Sequence, residues 1–392
     1  MEENILIVHG GAPTPVMNAS LYGVVKEALT HPQISHIYAA VGGSGVIGRE
    51  QFLDLKDVDE DTLERLPDVP ASAIGTSRDA LSEVDYRRIA DVIEKYRIHY
   101  VFMNGGNGSM DTCGKIYRAC QEKKLEVMVV GIPKTIDNDL AVTDHAPGFG
   151  SAARYIAGTV NEVCQDVRAL PIHVCVVEAM GRNAGWIAAA SALAKDASGI
   201  GPDLIYVPER PFDEDEFLED AQRLYREKGG VVVVASEGLH GRDGKPIVKP
   251  VFTVGRAVYY GDVSAHLANL VIQKLGIKAR GEKPGVCGRA SYMFQSRVDR
   301  EEAILAGREA VKAALAGETG IMIGFQRIST NPYRILPIHI PIEEVMMVEN
   351  RLPERYLNVR GNGVTEAFKE WCRPLIGEAL PQFLSLKEYK KF

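Results

Sequence analysis

A lysine, a threonine and two aspartates follow one another closely in Pro133-Lys134-Thr135-Ile136-Asp137-Asn138-Asp139, directly after the apolar run VMVVGI. Polar groups gathered at the end of a buried strand cost free energy unless something binds them. Asp137 suits a general base that takes a proton from an attacking alcohol, and Asp139 suits a contact to Mg2+, direct or through water. Asp and Asn also favour Asx turns and helix caps, which leaves Asn138 open between a turn and a site but accounts poorly for Lys134. A second cluster, Gly105-Gly106-Asn107-Gly108-Ser109, separates an apolar strand from a helix start, where N–H groups and the helix dipole favour phosphate. Taken alone it reads equally as a tight turn, and the loop from Gly10 to Asn18, stiffened by Pro13 and Pro15, reads by itself more as a turn than as a site. In Met180-Gly181-Arg182-Asn183 the arginine could neutralise charge on a phosphoryl group in flight. Arg78, Arg280 and Arg289 are further cationic candidates.

The chemistry indicated is handling of a small anion, and the composition agrees. With 392 residues, 46% hydrophobic and 25% charged, the chain is long enough for two domains with full cores. A net charge of -7 excludes a broad basic field for nucleic acid, so an anionic ligand must be held by a local cluster. The six cysteines form no C-x-x-C pair and no histidines show zinc spacing; reduced thiols in a cytoplasmic protein are expected. The start, MEENILIVHGG, lacks the basic flank and long apolar run of a signal peptide, and no membrane partner is expected.

Positioning these residues falls to short β-rich runs that alternate with amphipathic helical stretches. ILIVH precedes MNASLYGVVKEAL, HYVFMN precedes a helix from about Ser109, and VMVVGI precedes GFGSAARYIAGTVNEVCQDV. HVCVVEAM, DLIYVPE and VVVVASEG are each followed by a helical stretch in the same way. Such alternation is the mark of βαβ units and parallel sheets, and there are more units than one modest sheet holds. The fold class expected is α/β, two doubly wound domains with mainly parallel sheets and the active site in the cleft between them. In open α/β sheets ligands lie beyond the carboxyl ends of the strands, where the four polar clusters fall.

In their order, HGGAPTPVMNAS, IGTSR, GGNGSMDT, PKTIDND, PGFGSAARYIA, MGRNAGW, VASEG and KARGEKPGVCGR resemble the phosphofructokinase family over residues 5 to 330, nearest to the bacterial branch that includes pyrophosphate-dependent enzymes. The resemblance implies a Mg2+-dependent 6-phosphofructokinase acting on fructose 6-phosphate, with Asp137 as base and Thr135 beside it. It implies that Gly11, Ser77, Arg78, Gly105, Gly106, Asn107, Gly108 and Ser109 hold the phosphoryl donor, and that Lys134 and Arg182 assist the transfer. Met180, Gly181, Arg182, Glu237 and Arg289 would bind the sugar phosphate, with Thr135 and Asp137 at its reacting end. Arg280 would reach the 6-phosphate from a neighbouring subunit, which requires a homodimer or homotetramer. The implied domains are 1-148 with 287-345 for the donor, 149-286 for the sugar phosphate, and a C-terminal helical extension over 346-392.

Three positions depart from the family pattern. Asn107 stands where the glycine-rich loop usually has a metal-binding aspartate, so the metal would rest on Asn107 and Asp139 with Asp139 carrying more of it. His173 and Val286 stand where many ATP-dependent members have an arginine for the 6-phosphate and a histidine. For the donor, Gly108 leaves room for a nucleotide where an aspartate would repel it, whereas Lys134 is the residue of pyrophosphate-dependent members. With the open glycine as guide, ATP is the expected donor in glycolysis and pyrophosphate the alternative. A catalytically silent homologue, suggested by Asn107 and His173, is argued against by the intact Thr135-Ile136-Asp137-Asn138-Asp139. NAD or diacylglycerol kinases and Rossmann dehydrogenases do not account for PKTIDND and MGRNAG together.

Overall fold

Strand β1 (Glu3–His9) is buried along Ile5, Leu6, Ile7 and Val8, all at 0% exposure. A strand with both faces apolar must be covered on both faces, which is the condition of a parallel sheet flanked by helices. In the computed structural model, which describes residues 3–195, 199–254, 257–381 and 386, that is the arrangement found. Ile5 and Ile7 pack with Leu21, Val24 and Val25 of the helix Met17–Ala28 and Ala306 and Ala310 of the helix Arg297–Leu315. Leu6 and Val8 face Ile89 and Ile93 of the helix Glu83–Lys95 and Met110 and Cys113 of the helix Asn107–Glu122.

The strands β2 (Ile34–Ala40), β3 (Phe52–Asp54), β4 (Ile98–Gly105), β5 (Met128–Pro133), β12 (Ile321–Thr330) and β13 (Tyr333–Pro341) complete a seven-stranded sheet with β1, in the order β13-β12-β5-β4-β1-β2-β3. Its interior is parallel, and only the edge strands β3 and β13 pair antiparallel. A second, four-stranded parallel sheet has the order β11-β6-β8-β7, from β6 (Val174–Ala179), β7 (Leu204–Tyr206), β8 (Val231–Ser236) and β11 (Ala279–Glu282). Strands β9 (Pro250–Val254) and β10 (Ala257–Tyr260) form an antiparallel pair. The fold is thus mixed α/β with a large, mostly parallel sheet.

Chain contacts divide the molecule into one unit of Met1–Ala152 with Arg289–Asn350 and another of Ala153–Gly288 with Arg351–Phe392; the division falls within the helix Phe149–Ala169. Every strand foreseen from sequence is present. Strands β2, β3, β9, β10, β11, β12 and β13 were not foreseen; β2, β11 and β13 carry polar residues in their runs. The stretch 346–392, expected as a helical extension, contains one α-helix among its described residues, Glu366–Cys372; residues 382–385 and 387–392 lie outside the description.

In the first unit the helices Met17–Ala28 and Arg297–Leu315 meet backbone to backbone. A Cβ on Gly23 would lie 2.2 Å from Ile304 O, and one on Gly307 2.2 Å from Ser20 O. This contact seats the helix that follows the Gly10-Gly11 turn.

Candidate active site

In the seven-stranded sheet, β1 connects to β2 on one side while β4 lies on its other side and leads on to β5. The order therefore reverses between β1 and β4, and their carboxyl ends are where such a sheet opens to a ligand. At that point Gly10 N–H donates to Asn104 O (2.9 Å), Gly11 N–H donates to Ser77 O (2.8 Å) and Thr76 Oγ1 donates to Gly11 O (2.8 Å). The loop that carries Ser77 and Arg78 is thereby tied to the end of β1. Gly11 has φ +79, and the space beside it is filled by Lys134 Nζ, 3.3 Å from where its Cβ would be.

His9 stabilises the same loop from below. It is fully buried, and burial, with Lys134 nearby, pushes its pKa down to about 3, so the ring is neutral. Ser72 Oγ donates to Gly75 O (2.8 Å), so His9 Nδ1, 2.8 Å from Ser72 Oγ, must be the donor in that pair.

The glycine-rich turn runs straight into the helix Asn107–Glu122, which starts two residues earlier than expected because Gly106 takes the extended cap conformation. The first-turn N–H groups of a helix have no intrahelical acceptors, and no acidic side chain sits in this first turn to occupy them. Gly105 and Gly10 both crowd Ser109: a Cβ on either would lie 2.2 or 2.3 Å from Ser109 Oγ. Gly105 thus sets a close backbone approach and does not itself line the pocket. Gly108 faces open space, with nothing within 4 Å of an added Cβ.

Alongside, Lys134 N–H donates to Gly105 O (3.0 Å), which brings the acidic segment against the turn. Thr135 Oγ1 donates to Asp139 Oδ1 (2.7 Å) and accepts from Asp137 N–H (3.1 Å). Asn107 Nδ2 donates to both Asp139 O (2.9 Å) and Asp139 Oδ2 (3.0 Å), leaving Asn107 Oδ1 buried without a hydrogen-bond partner. Asn138 adopts φ 52, and its Oδ1 accepts from Ala146 N–H (3.0 Å); it is the turn residue of the segment. Lys134 is buried and donates through Nζ to Ala12 O. Burial pushes its pKa down to about 8 against the pull of Asp139, and Arg78 and Arg289 press in the same direction as burial.

These groups line one pocket of about 410 Å³ in the first unit: Gly11, Ser77, Arg78, Gly106, Asn107, Gly108, Ser109, Lys134, Thr135, Asp137 and Asp139. Ser44 and Asp79 share its wall and were missed from sequence, since an acidic residue next to Arg78 argues against an anion site. Among the described residues no cluster of three or more His, Cys, Asp or Glu could hold a metal ion. The orphaned Asn107 Oδ1 beside the Asp139 carboxylate nevertheless fits Mg2+, which is commonly held by one or two protein oxygens with substrate phosphates supplying others.

In the second sheet β6 leads outward to β7 and β8 leads back past β6 to β11, so the order reverses between β6 and β8. Gly181, at φ 106, donates its N–H to Glu237 Oε1 (3.3 Å), and Ser236 Oγ donates to Gly181 O (2.6 Å). Arg182 Nη1 donates to Val258 O (3.2 Å), with its guanidinium 5.6 Å from the Tyr260 ring centre. Burial raises the pKa of Glu237 against the lowering effect of Arg182. Arg182 and Glu237 line a pocket of about 330 Å³ with Asn183, His240, Tyr260 and Arg351; Met180 is adjacent in sequence but does not line it.

His173 and Arg280 are elsewhere. His173 precedes β6 and Arg280 pairs with Cys175 at the amino end of the same strand, so the length of β6, about 20 Å, separates them from Gly181. His173 is buried with neither ring nitrogen bonded, and burial and Arg280 lower its pKa.

No helix among the described residues is long and apolar enough to cross a membrane. The sequence profile described as Phosphofructokinase matches residues 4–314. A pyrophosphate–fructose 6-phosphate 1-phosphotransferase of Xanthomonas campestris is 35% identical over 406 residues, covering 98% of this chain and 96% of the relative. One from Rhodospirillum rubrum is 35% identical over 394 residues, with 98% and 96% covered. The crystal structure of a pyrophosphate-dependent phosphofructokinase from Nitrosospira multiformis superposes with TM-score 0.89 at 33% identity, covering 99% of this chain and 96% of that one.

These relatives overturn the expectation of ATP as donor, since all three are pyrophosphate-dependent. The physical reason lies in the unequal weight of the two signals. Gly108 only leaves space empty, whereas a lysine buried beside the glycine-rich turn carries a desolvation cost that a bound anion would offset. A profile match through both glycine-rich strand-end turns, together with relatives aligned nearly from end to end, means that this chain belongs to the phosphofructokinase family.

Proposed function

We propose that the chain transfers a phosphoryl group from pyrophosphate to the 1-hydroxyl of fructose 6-phosphate. The observation that carries this reading is the buried Lys134 beside Asp137, Asp139 and the Gly106–Ser109 turn in a single pocket. Pyrophosphate-dependent relatives that match along nearly the full length support pyrophosphate as the donor. Asp137 accepts the proton of the 1-hydroxyl as the oxygen attacks one phosphorus of pyrophosphate; the bridging P–O bond breaks, and orthophosphate leaves with the electron pair. The products are fructose 1,6-bisphosphate and orthophosphate.

Thr135 holds Asp137 and Asp139 in mutual register through the hydrogen bonds at its hydroxyl. Gly11, Arg78, Gly106, Asn107, Gly108 and Ser109 bind the donor with Lys134, Gly105 shapes the turn beneath them, and Ser77, whose hydroxyl is given to Asp79, lines the wall beside them. Asn107 and Asp139 would hold Mg2+, which would supply charge neutralisation to the phosphates. In the second unit Arg182 and Glu237 bind the sugar phosphate, with Met180 and Gly181 at the same strand end, and Arg289, in the first unit and near enough Lys134 to lower its pKa, adds positive charge at the transfer end. Arg280 and His173, at the far end of β6, serve the site of a neighbouring copy, so the working form is a homo-oligomer. Six free cysteines, five of them buried, suit a reducing cytoplasm.

The test is steady-state formation of fructose 1,6-bisphosphate with pyrophosphate and with ATP, for wild type and Asp137→Asn. Pyrophosphate should give the higher kcat/KM. Asp137→Asn should lower kcat by about 10²- to 10⁴-fold with little change in the KM for fructose 6-phosphate. A wild type that turns over only with ATP, or an Asp137→Asn enzyme of near-normal kcat, would sink the corresponding half of the proposal.

A further inference from the structure

The donor pocket extends across the carboxyl ends of four neighbouring strands, β5, β4, β1 and β2, a span of about 14 Å at ordinary strand spacing. At the β5 end lie Lys134, Asp137 and Asp139, where transfer takes place; over β4 and β1 lie the two glycine turns. The β2 end is built differently. After β2 the chain turns through Gly42 and Gly43, at φ +115 and +94, into the short 3-10 helix Ser44–Arg49.

There Asp79 Oδ2 accepts from Gly45 N–H (2.6 Å), from Ser44 Oγ (3.2 Å) and from Ser77 Oγ. An added Cβ on Gly45 would lie 2.7 Å from Asp79 Cγ, so the turn closes tightly on the carboxylate. One backbone N–H and two hydroxyls converging on a point are the kind of donor set that holds a phosphate oxygen. Here the chain's own carboxylate uses them. Among the residues that line the pocket, Asp137 and Asp139 are at the reacting end, and Asp79 is the one acid at the other.

We propose that Asp79 limits the phosphoryl donor to a diphosphate by setting a carboxylate, already saturated with the local donors, across the β2 end of the pocket. The inference rests on the pyrophosphate reading above. A diphosphate held by Lys134 and the two glycine turns, with Arg78 close enough to Lys134 to act on its charge, stops short of Asp79. A third phosphate, with or without a nucleoside, runs toward it and meets a like charge whose neighbouring N–H and hydroxyl donors are already engaged. Gly108 can then be open and yet no nucleotide is used, because the restriction is electrostatic and lies across the pocket from it.

The experiment measures kcat/KM for pyrophosphate, inorganic tripolyphosphate and ATP in wild type, Asp79→Asn and Asp79→Glu, with thermal melts to verify folding. Asp79 is exposed, so both variants should fold. Removing the charge in Asp79→Asn should raise the tripolyphosphate-to-pyrophosphate and ATP-to-pyrophosphate ratios tenfold or more, and Asp79→Glu should leave both ratios within about twofold of wild type. Ratios unchanged in Asp79→Asn, or raised equally in both variants, would overturn the role of the Asp79 charge. A wild type that uses ATP better than pyrophosphate would instead overturn the donor reading on which it rests, and that outcome is read from the wild type alone.

Discussion

Lys134 shows how one side chain can tie donor binding to pH. Burial is the main cause that holds its pKa near 8, and an anion bound against it would favour the protonated form. As pH rises through about 8 the free enzyme loses the ammonium, so the kcat/KM for pyrophosphate should decline there, because that parameter reports ionisations of the free enzyme. Lys134→Met should abolish this alkaline limb and lower kcat/KM by about tenfold or more, the loss expected for a charge-assisted contact. A limb that persists in Lys134→Met would assign it to another group. The lysine was visible in the sequence, but its burial was not, and burial is what turns it from a solvated surface charge into a group that needs an anion.

Between the elements of the first unit, the segment behind the acidic cluster is held by a buried ionic clamp that no motif announced. Thr135 N–H donates to Pro147 O (3.0 Å) and Gly148 N–H to Asp299 Oδ1 (2.8 Å), so residues 145–148 brace the 134–139 segment against the helix Arg297–Leu315. His145 Nδ1 lies 2.8 Å from Asp144 Oδ2 and Nε2 2.6 Å from Glu302 Oε2; Tyr333 donates to Glu302 and Arg327 to Asp144. With both nitrogens facing carboxylates the ring is an imidazolium. Burial pushes its pKa down, but Glu302 and Asp144 outweigh this and raise it from 6.5 to about 9. A histidine whose pKa is raised on folding contributes stability fully below 6.5, and that contribution is lost as pH rises through about 9. It amounts to about 3 kcal/mol. The melting temperature should therefore fall between pH 7 and 9.5, and His145→Gln should be less stable at pH 6 with a flatter decline. An equally steep decline in His145→Gln would place the titration elsewhere.

On the scale of the whole molecule, the two ends of β6 carry different chemistry: Gly181 and Arg182 at the carboxyl end, His173 and Arg280 at the amino end. If the amino-end pair serves a neighbouring copy, Arg182→Ala and Arg280→Ala should each be nearly inactive at low fructose 6-phosphate, and mixed oligomers of the two should regain activity because some sites receive both arginines. Activity that does not rise on dissociating and reassembling the mixture would confine Arg280 to its own chain. The sequence by itself determined the alternation of β and α elements, the strand-end clusters and the motif order, because apolar periodicity and turn chemistry are local properties of the chain. Strands such as β2 and β13, with polar residues in their runs, exist because neighbours in the sheet supply their hydrogen bonds and cover, which no local pattern records. Only the tertiary structure decided that Gly105 shapes the pocket while Asp79 lines it, that Lys134 is buried, and that His173 and Arg280 lie a strand's length from Arg182. Each depends on strand order and register, and those are settled by packing between segments far apart in the chain.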